Sequence, residues 1–268
     1  MSFQPVIPIG GLAGWRFLER TRESQFDAFT KSAQLERDAD YFTQNIGKIT
    51  SAEELVADRR LLSVALGAFG LQDDINNKYF IRKMLEDGTV ADDALANRMA
   101  DDRYKKFSAA FGFGPLASVQ TGKAAAMTEI VDAYRVQKFE AAVGEQDESM
   151  RIALYAQREV ATLANDNMSD AAKWFTIMGQ APLRKFFETG LGLPKALGQL
   201  NIDKQLSIFR EKVQAVTGRS DIDQFKDPEA LEKMTVRYLA RAQIETINAS
   251  TSSASNALFL LQGAASIY

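Results

Sequence analysis

Apolar residues recur at helical spacing along most of this chain, with charged residues between them. The stretch 50–70 shows the pattern clearly, because Leu55, Leu62, Leu66 and Phe69 follow one another at intervals of seven, four and three. Such intervals place the four side chains on one face of a helix. No stretch alternates convincingly between apolar and polar residues with the period of two that a strand requires. The pattern predicts an all-α, multihelical protein.

Local signals predict where the helices begin and end. Thr50 with Glu53 three residues later is typical of a capping box, and Asp227 before Pro228 is typical of a first helical turn. Asp203 is a further predicted cap, and glycines are the predicted stops. The predicted spans are 25–46, 50–70, 73–88, 92–114, 119–165 with a break near 144, 171–179, 182–192, a short helix from 194, 203–218 and 227–248.

Two similar stretches suggest an internal duplication. Tyr41-Phe42 precedes a helix that ends in Phe69-Gly70-Leu71, and Trp174-Phe175 precedes one that ends in Leu191-Gly192-Leu193. The separations differ, so a repeat would contain a deletion, and chance similarity of helix ends stays open. We predict two related helical subdomains joined by a long helical segment. The predicted segments are an N-terminal arm 1–24, a first helical repeat 25–118, connecting long helices 119–168, a second, degenerate repeat 169–248, and a Ser-rich joint with an apolar C-terminal segment 249–268.

The chain contains neither Cys nor His, and this limits its chemistry. The common zinc sites and most transition-metal sites need thiolate or imidazole ligands. Nucleophile arrangements that rely on His are excluded for the same reason. General acid–base catalysis would have to use carboxylates, Lys or Tyr. We therefore predict a non-enzymatic protein with no catalytic residue, no cofactor and no metal.

Acidic motifs could suggest metal or acid–base sites, but structural roles explain them better. Asp73-Asp74 and Asp92-Asp93 stand where helices are expected to begin, where Asp accepts hydrogen bonds from free backbone N–H groups. Asp221 and Asp223 resemble the start of a calcium loop, but Lys226 occupies the position that requires glycine. We predict helix capping or solvation for the acidic pairs, Asp101-Asp102 included, and a loop with a cap for the last motif.

Net charge and hydropathy limit the classes of partner that the sequence predicts. Lys and Arg number 32 against 35 Asp and Glu, so the basic excess typical of a nucleic-acid-binding protein is missing. The longest apolar run is well short of the roughly 18 residues that span a bilayer. The first 14 residues lack the basic start and apolar run of a secretory signal. We expect a soluble protein made in the cytoplasm, with a protein partner, no nucleic acid and no membrane insertion.

Apolar side chains near both ends are the predicted partner-binding residues. Those near the C-terminus follow the Ser-rich stretch 249–256. Apolar segments near chain ends either dock or remain disordered. Docking onto each other would close the fold, whereas docking into a groove would bind a partner, and the sequence leaves both open. The residues are Trp15, Phe17, Leu18, Leu258, Phe259 and Leu261.

Several short motifs in the first half carry a family resemblance. They are Asp40-Tyr41-Phe42, Asn45-Ile46, Glu54-Leu55-Val56, Asp58 to Leu62, Ala68 to Leu71, Phe80-Ile81, Leu85, Gly88, Ala96-Asn97-Arg98, Asp102-Arg103-Tyr104 and Phe111-Gly112-Phe113. Together they resemble a bacterial, chiefly alphaproteobacterial, family of unknown function with tandem helical repeats that is often encoded among flagellar genes. The resemblance is clear over 38–114 and degraded over 170–245.

The resemblance implies a multihelical protein linked to flagellar structure or assembly, with no established activity or site. A Cys-free chain with no cleavable signal suits a component that passes through the flagellar export channel. We expect a non-enzymatic, flagellum-associated structural or assembly protein that acts through helical surfaces and apolar termini. The alternative is a cytoplasmic helical adaptor or chaperone-like binder of a partner helix. The sequence predicts no oligomeric state.

Overall fold

The computed structural model describes residues 3–265, apart from the side chains of residue 195 and of residues 250–265. Residues 3–265 contain helices and turns and no β-strand, which confirms the all-α class. The α-helices, α1 to α13 in order, are Gly11–Thr30, Ala33–Asn45, Ala52–Ala57, Arg59–Ala68, Lys78–Asp87, Leu95–Arg98, Arg103–Phe111, Ala124–Gly144, Glu148–Asn165, Asp170–Gly179, Ala181–Leu191, Ile202–Thr217 and Pro228–Ala265. Short 3₁₀ helices are Ile46–Lys48, Gln72–Asn76, Lys195–Gln199 and Ile222–Lys226.

The chain divides into two compact units, each built from several segments. Unit 1 consists of Met1–Pro8, Phe17–Arg151 and Phe175–Ala181. Unit 2 consists of Ile9–Arg16, Ile152–Trp174 and Pro182–Tyr268. The predicted segmentation into an arm, two related repeats and a connector stays a prediction.

The core of unit 1 forms where α4 packs against α2 and α8. Leu55, Leu62 and Leu66 have no exposed surface, so the predicted apolar face is confirmed. Gly67 lets α4 approach α8 closely, because a Cβ atom there would lie 2.6 Å from the Tyr134 ring. A side chain at this position would force the two helices apart.

The predicted helix 50–70 is wrong in one respect: Asp58 divides it into α3 and α4. The Asp58 carboxylate accepts hydrogen bonds from the Arg60 and Leu61 N–H groups at 2.9 and 3.0 Å. These bonds satisfy donors that the first turn of α4 leaves without an intrahelical partner. The carboxylate therefore starts a new helix inside an apolar pattern that reads as continuous.

Two helices are capped by residues other than the ones predicted. Ser51, and not Thr50, caps α3, since its hydroxyl accepts a hydrogen bond from the Glu54 N–H at 3.2 Å. Glu54 in turn accepts the Thr50 N–H at 2.7 Å, so the reciprocal bonding of a capping box is present one residue later than predicted. Asn201, and not Asp203, caps α12.

The N-terminal region is also more helical than predicted. Helix α1 begins at Gly11 and includes most of the segment expected to be an arm. The predicted helix 25–46 is interrupted after Thr30, because Ser32 has extended backbone and stands at the cap position of α2. Helical structure therefore starts 14 residues earlier than residue 25 and contains one additional break.

The predicted helix 92–114 is wrong, because residues 99–102 separate α6 from α7, but several other predicted boundaries are confirmed. The long stretch 119–165 forms α8 and α9 with a break after Gly144. Gly70, Gly112 and Gly218 follow helix ends with φ of +68°, +66° and +86°. Glycine reaches this left-handed region without the steric penalty of a Cβ atom, which is why it ends helices there.

The core of unit 2 surrounds Trp174, which is fully buried. Its ring centroid lies 5.3 Å from that of Phe187 and 5.7 Å from that of Phe209. The indole Nε1–H donates to the Ser220 carbonyl oxygen at 3.1 Å, so the polar edge of this buried ring is satisfied. Phe225 packs on Phe187 and extends the same cluster.

Helix α13 does not end near Asn248 as predicted but continues to Ala265. The Ser-rich stretch 249–256 lies within it and contains neither Gly nor Pro. Ser and Thr reduce helix stability far less than those two residues do, and Ala favours a helix. The composition that suggested a joint is therefore compatible with a continuous helix.

Candidate interaction surface

The structure buries two of the three residues predicted to bind a partner at the N-terminal end. Trp15 and Leu18 are fully buried on α1, and Phe17 is partly exposed. Burial leaves Trp15 and Leu18 no surface for a partner, so they contribute to the fold. The side chains of the other three predicted residues lie outside the described part of the chain: Leu258, Phe259 and Leu261.

The first two acidic pairs do not cap helices, and solvation, the other predicted role, holds for the exposed residues Asp73, Asp92 and Asp93. Asp74 accepts a hydrogen bond from the Tyr104 hydroxyl at 2.5 Å. Burial and this bond raise the pKa of Tyr104 well above its usual value. The residues at the caps of α5 and α6 are Asn77 and Ala94, and neither makes a side-chain capping bond. Asp74 therefore serves a tertiary contact.

The predicted loop and cap at Asp221 is confirmed, since its carboxylate accepts the Gln224 N–H at 3.2 Å. Asp223 accepts hydrogen bonds from Lys173 and Lys226, both at 2.7 Å. These two bonds lower the pKa of Asp223 to about 2. In residues 3–249, no three acidic side chains are close enough to hold a metal ion.

Lys173 is buried, with 2% of its surface exposed. Its ammonium group donates to the Ala164 carbonyl oxygen at 2.8 Å as well as to Asp223. A buried cation is tolerated when it is paired and hydrogen-bonded in this way. The pair thus joins α10 to the 3₁₀ helix before α13.

A second polar cluster joins α2 to α4. The Tyr41 hydroxyl donates to Asp58 at 2.7 Å, and the Arg60 guanidinium lies 4.5 Å from the centre of the Tyr41 ring. Arg60 also donates to Asp38 at 2.9 Å. Although burial acts to raise the pKa of Asp58, hydrogen bonds from the Leu61 N–H and Tyr41 hydroxyl hold it below its usual value. The cluster serves the fold.

The most exposed apolar stretch of unit 2 lies on α13. Among residues 228–249, Ala242 is the last with a buried side chain, and residues 243–249 are all exposed. Ile244 and Ile247 are 56% and 55% exposed, respectively. We call residues 243–265 the distal α13 segment. Among its described side chains, the large apolar ones are Ile244 and Ile247.

The spacing of the exposed isoleucines continues in the sequence of the distal α13 segment. Apolar or small residues follow Ile244 at alternating intervals of three and four: Ile247, Thr251, Ala254, Leu258 and Leu261. This alternation is typical of helices that pair along one seam. No charged residue follows Glu245. Sequence reasoning missed Ile244 and Ile247 as exposed residues, and the alternation is the signal that identifies them.

A pocket of about 300 Å³ lies in unit 1 between α3 and α5. Tyr79 is 74% exposed beside it. As the second residue of α5, it points away from the core that holds Ile81 and Met84. We call this cavity the α3–α5 pocket, and its lining residues are Glu53, Val56, Ala57, Lys78, Tyr79 and Arg82.

Comparison with known proteins supports the fold and the family. The model of the family described as "Protein of unknown function (DUF1217)" matches residues 68–231. A solved structure, the X-ray crystal structure of protein AGR_C_984 from Agrobacterium tumefaciens, aligns with a TM-score of 0.73 and 24% identity, covering 90% of this chain and 99% of that one. At this identity the likeness shows a shared fold. No curated protein matches the sequence. Among the described residues, no helix has the length and apolar character needed to cross a membrane.

Proposed function

Because the chain belongs to DUF1217, a family of unknown function, we propose its role from its own surfaces: a non-enzymatic structural or assembly protein of the flagellum. The distal α13 segment is the surface through which it joins another component. The exposure of Ile244 and Ile247, which follow the buried residue Ala242 on α13, is the observation that carries this proposal.

The chemistry of the distal α13 segment favours pairing with another helix. Removing apolar side chains from water is favourable by about 25 cal/mol for each Å² buried. The desolvation cost is low, since no charged residue follows Glu245. Small residues at Thr251 and Ala254 leave room for a neighbouring backbone to approach. The segment suits a helical bundle formed between subunits.

The polar groups favour a structural role over a catalytic one. Without His or Cys, catalysis would require carboxylates, Lys or Tyr. Several carboxylates, lysines and tyrosines form hydrogen-bonded pairs between different elements of the fold, such as Lys173 with Asp223 and Tyr41 with Asp58. Such pairs stabilise the positions of helices.

The flagellar setting is supported by the resemblance of the motifs in residues 38–114 to a family often encoded among flagellar genes. The absence of Cys fits the same setting, because a chain without thiols cannot be cross-linked by oxidation outside the cell. Association with the flagellum can be tested separately from the role of the distal α13 segment.

The test is made in the organism that encodes the protein, with a clean deletion strain and a strain that produces residues 1–248. We expect both strains to swim poorly and to have defective flagella, while the shortened protein stays folded. Normal swimming of the deletion strain would contradict the flagellar setting. A shortened protein that unfolds, or that functions fully, would favour a self-contained adaptor.

A further inference from the structure

Residues 3–8 precede α1, contain no regular secondary structure and belong to unit 1. We call them the N-terminal segment. Pro5 is the one buried side chain among these residues, and Gln4, Val6 and Pro8 are exposed. A segment that buries so little apolar surface gains little from the hydrophobic effect, so polar contacts must contribute to holding it in place.

One edge of the segment's backbone is bound by Gln25 on α1. The Val6 N–H donates to Gln25 Oε1 at 2.6 Å, and Gln25 Nε2 donates to the Val6 carbonyl oxygen at 3.2 Å. Neighbouring antiparallel strands exchange the same pair of bonds between two residues that face each other. The side-chain amide of Gln25 therefore takes the place of a neighbouring strand.

The other edge of the backbone is bound by Gln146, in the turn between α8 and α9. The Ile7 N–H donates to Gln146 Oε1 at 3.3 Å, and Gln146 Nε2 donates to the Pro5 carbonyl oxygen. In an extended chain these two groups point away from the N–H and C=O of the residue between them. Two side-chain amides thus satisfy all four backbone polar groups from the Pro5 carbonyl to the Ile7 N–H.

The amide of Gln25 is oriented by contacts outside the N-terminal segment. Gln25 is 7% exposed, and its Nε2 also donates to the Thr21 hydroxyl oxygen at 2.7 Å. The Thr21 hydroxyl donates in turn to the Phe17 carbonyl oxygen at 2.8 Å. The next residue on α1, Phe26, packs its ring against that of Phe139 on α8, with centroids 5.5 Å apart. A pre-organised amide of this kind lowers the entropic cost of binding a peptide.

The sequence of the segment favours the conformation that the two glutamines bind. Proline fixes its own φ near −65° and biases the preceding residue toward extended conformations. Pro5 and Pro8 apply this restriction to Gln4 and Ile7. Contacts to backbone groups do not depend on side-chain identity, and the Val6 side chain is 52% exposed. The ligand that fits is therefore an extended peptide with proline at the buried position.

We propose that Gln25 and Gln146 form a binding site for an extended, proline-containing peptide, and that the chain's own N-terminal segment fills this site as a releasable strap. The hydrogen bonds that hold the segment contribute modestly to stability, because water replaces them on release. Segments with few buried apolar contacts open locally while the rest of a domain stays folded. The site lies in unit 1 and does not rest on the role proposed for the distal α13 segment.

Hydrogen exchange in the full chain tests whether the segment opens on its own. We expect the Ile7 N–H to exchange more slowly than in a free peptide, but at least about tenfold faster than the Leu66 N–H in the core of unit 1. Pro5→Asp should remove the protection at Ile7, because an unpaired charge is not tolerated at a buried position. Val6→Asp, at the exposed neighbouring position, is the matched control and should keep it.

The exchange of Leu66 decides the outcome of this experiment. It should be the same in the native chain and in both variants, since only the segment is released. Loss of protection at Leu66 in Pro5→Asp protein would show that the segment is part of the core, and it would overturn the proposal. So would an Ile7 N–H that is unprotected in the native chain, or one that exchanges as slowly as that of Leu66.

Titration with a peptide of residues 3–10, blocked at both ends and observed by NMR, tests the site itself. The peptide should bind full-length Pro5→Asp protein at least about tenfold more tightly than native protein, in which the attached segment competes at a high effective concentration. N-methylation of Val6 in the peptide should weaken binding at least about tenfold, because it removes the N–H that Gln25 accepts. Val6→Thr in the peptide should leave the affinity unchanged, since this side chain is exposed.

Replacement of Gln146 tests the second edge without affecting the core, because this residue is exposed. In Pro5→Asp protein, Gln146→Leu should weaken peptide binding at least about tenfold. Gln214→Leu, at an exposed glutamine of unit 2, is the matched control and should have no effect. A peptide that fails to bind Pro5→Asp protein, or one whose affinity survives both Gln146→Leu and N-methylation, would overturn the proposal.

Discussion

Ile244 and Ile247 lie three residues apart on α13, so their side chains share one face of the helix, and each leaves more than half of its surface exposed. Tyr238 and Leu239, a short distance earlier on the same helix, are each only 1% exposed. The change occurs at Ala242, within a continuous helix. The helix therefore has a part that packs in the core of unit 2 and, after Ala242, a part with exposed apolar side chains.

Replacing both isoleucines with lysine should leave the fold of unit 2 stable. We expect Ile244→Lys with Ile247→Lys to change the free energy of unfolding by less than about 0.5 kcal/mol, as exposed positions usually do. Chemical denaturation followed by far-UV circular dichroism measures this. Leu239→Lys is the matched comparison, because it would bury an unpaired charge and lower stability severely. A similar loss in both proteins would mean that the exposed isoleucines support the core.

Asp58 should contribute more to stability than an ordinary helix cap. It accepts two backbone bonds at the start of α4 and also the Tyr41 hydroxyl. We expect Asp58→Ala to lower the free energy of unfolding by about 2 kcal/mol, the upper part of the capping range. Ser51→Ala, which removes a single capping bond from α3, should cost about half as much. Equal losses of stability in Asp58→Ala and Ser51→Ala would show that the hydrogen bond from Tyr41 to Asp58 does not contribute to the free energy of unfolding.

The Lys173–Asp223 pair should give stability a specific dependence on pH. Hydrogen bonds from Lys173 and then Lys226 lower the pKa of Asp223 from 3.8 to about 2. A carboxyl whose pKa is lower in the folded state stabilises above the unfolded pKa, and this contribution is lost as pH falls through the folded pKa. The advantage of the native protein over Lys173→Met should therefore shrink between pH 3.8 and about 2.

Urea denaturation of both proteins across this pH range measures the difference. Lys226→Met serves as the control, since Lys226 binds the same carboxylate from an exposed position. The loss of stability in Lys226→Met should be smaller than in Lys173→Met, because exposed ion pairs contribute little to the free energy of unfolding. A difference between native protein and Lys173→Met that stays constant with pH would contradict the assigned pairing.

The contact between Gly88 and Gly114 should tolerate no added carbon. We expect Gly114→Ala to destabilise by about 1–3 kcal/mol, because its Cβ atom would overlap the Gly88 backbone. Gly122→Ala lies nearby with no atom within 4 Å of the added carbon, and it should be neutral or slightly stabilising. Thermal unfolding of the two variants checks this pair. A harmless Gly114→Ala would mean that the loop between α7 and α8 is adaptable.

Helical periodicity predicted the fold class and the buried faces, as the full burial of Leu62 and Leu66 shows. It could do so because burial of one helix face is what produces the periodicity. The break at Asp58 was missed because the cap depends on the backbone geometry that this residue adopts. The same applies to Ser51, whose neighbour Thr50 is an equally suitable cap by residue type.

The surfaces were harder to predict than the core. Trp15 and Ile244 are both large and apolar, yet one is fully buried and the other exposed. The difference depends on where neighbouring elements end, which the local sequence does not specify. Leu116, which is 94% exposed, was missed because a positive φ at a leucine contradicts residue preference. Such positions can be found only from the backbone itself.

The fraction of the protein that co-purifies with detached flagella tests whether the exposed isoleucines of α13 attach it to the flagellum. It is measured by quantitative immunoblotting for the native chain, for Ile244→Lys with Ile247→Lys, and for Thr246→Lys with Ala249→Lys, which places the same charges on the opposite helix face. We expect the native chain and the control to co-purify equally, and the recovered fraction of the isoleucine variant to fall at least about tenfold. Equal recovery of all three, or absence of the native chain from flagella, would contradict this expectation.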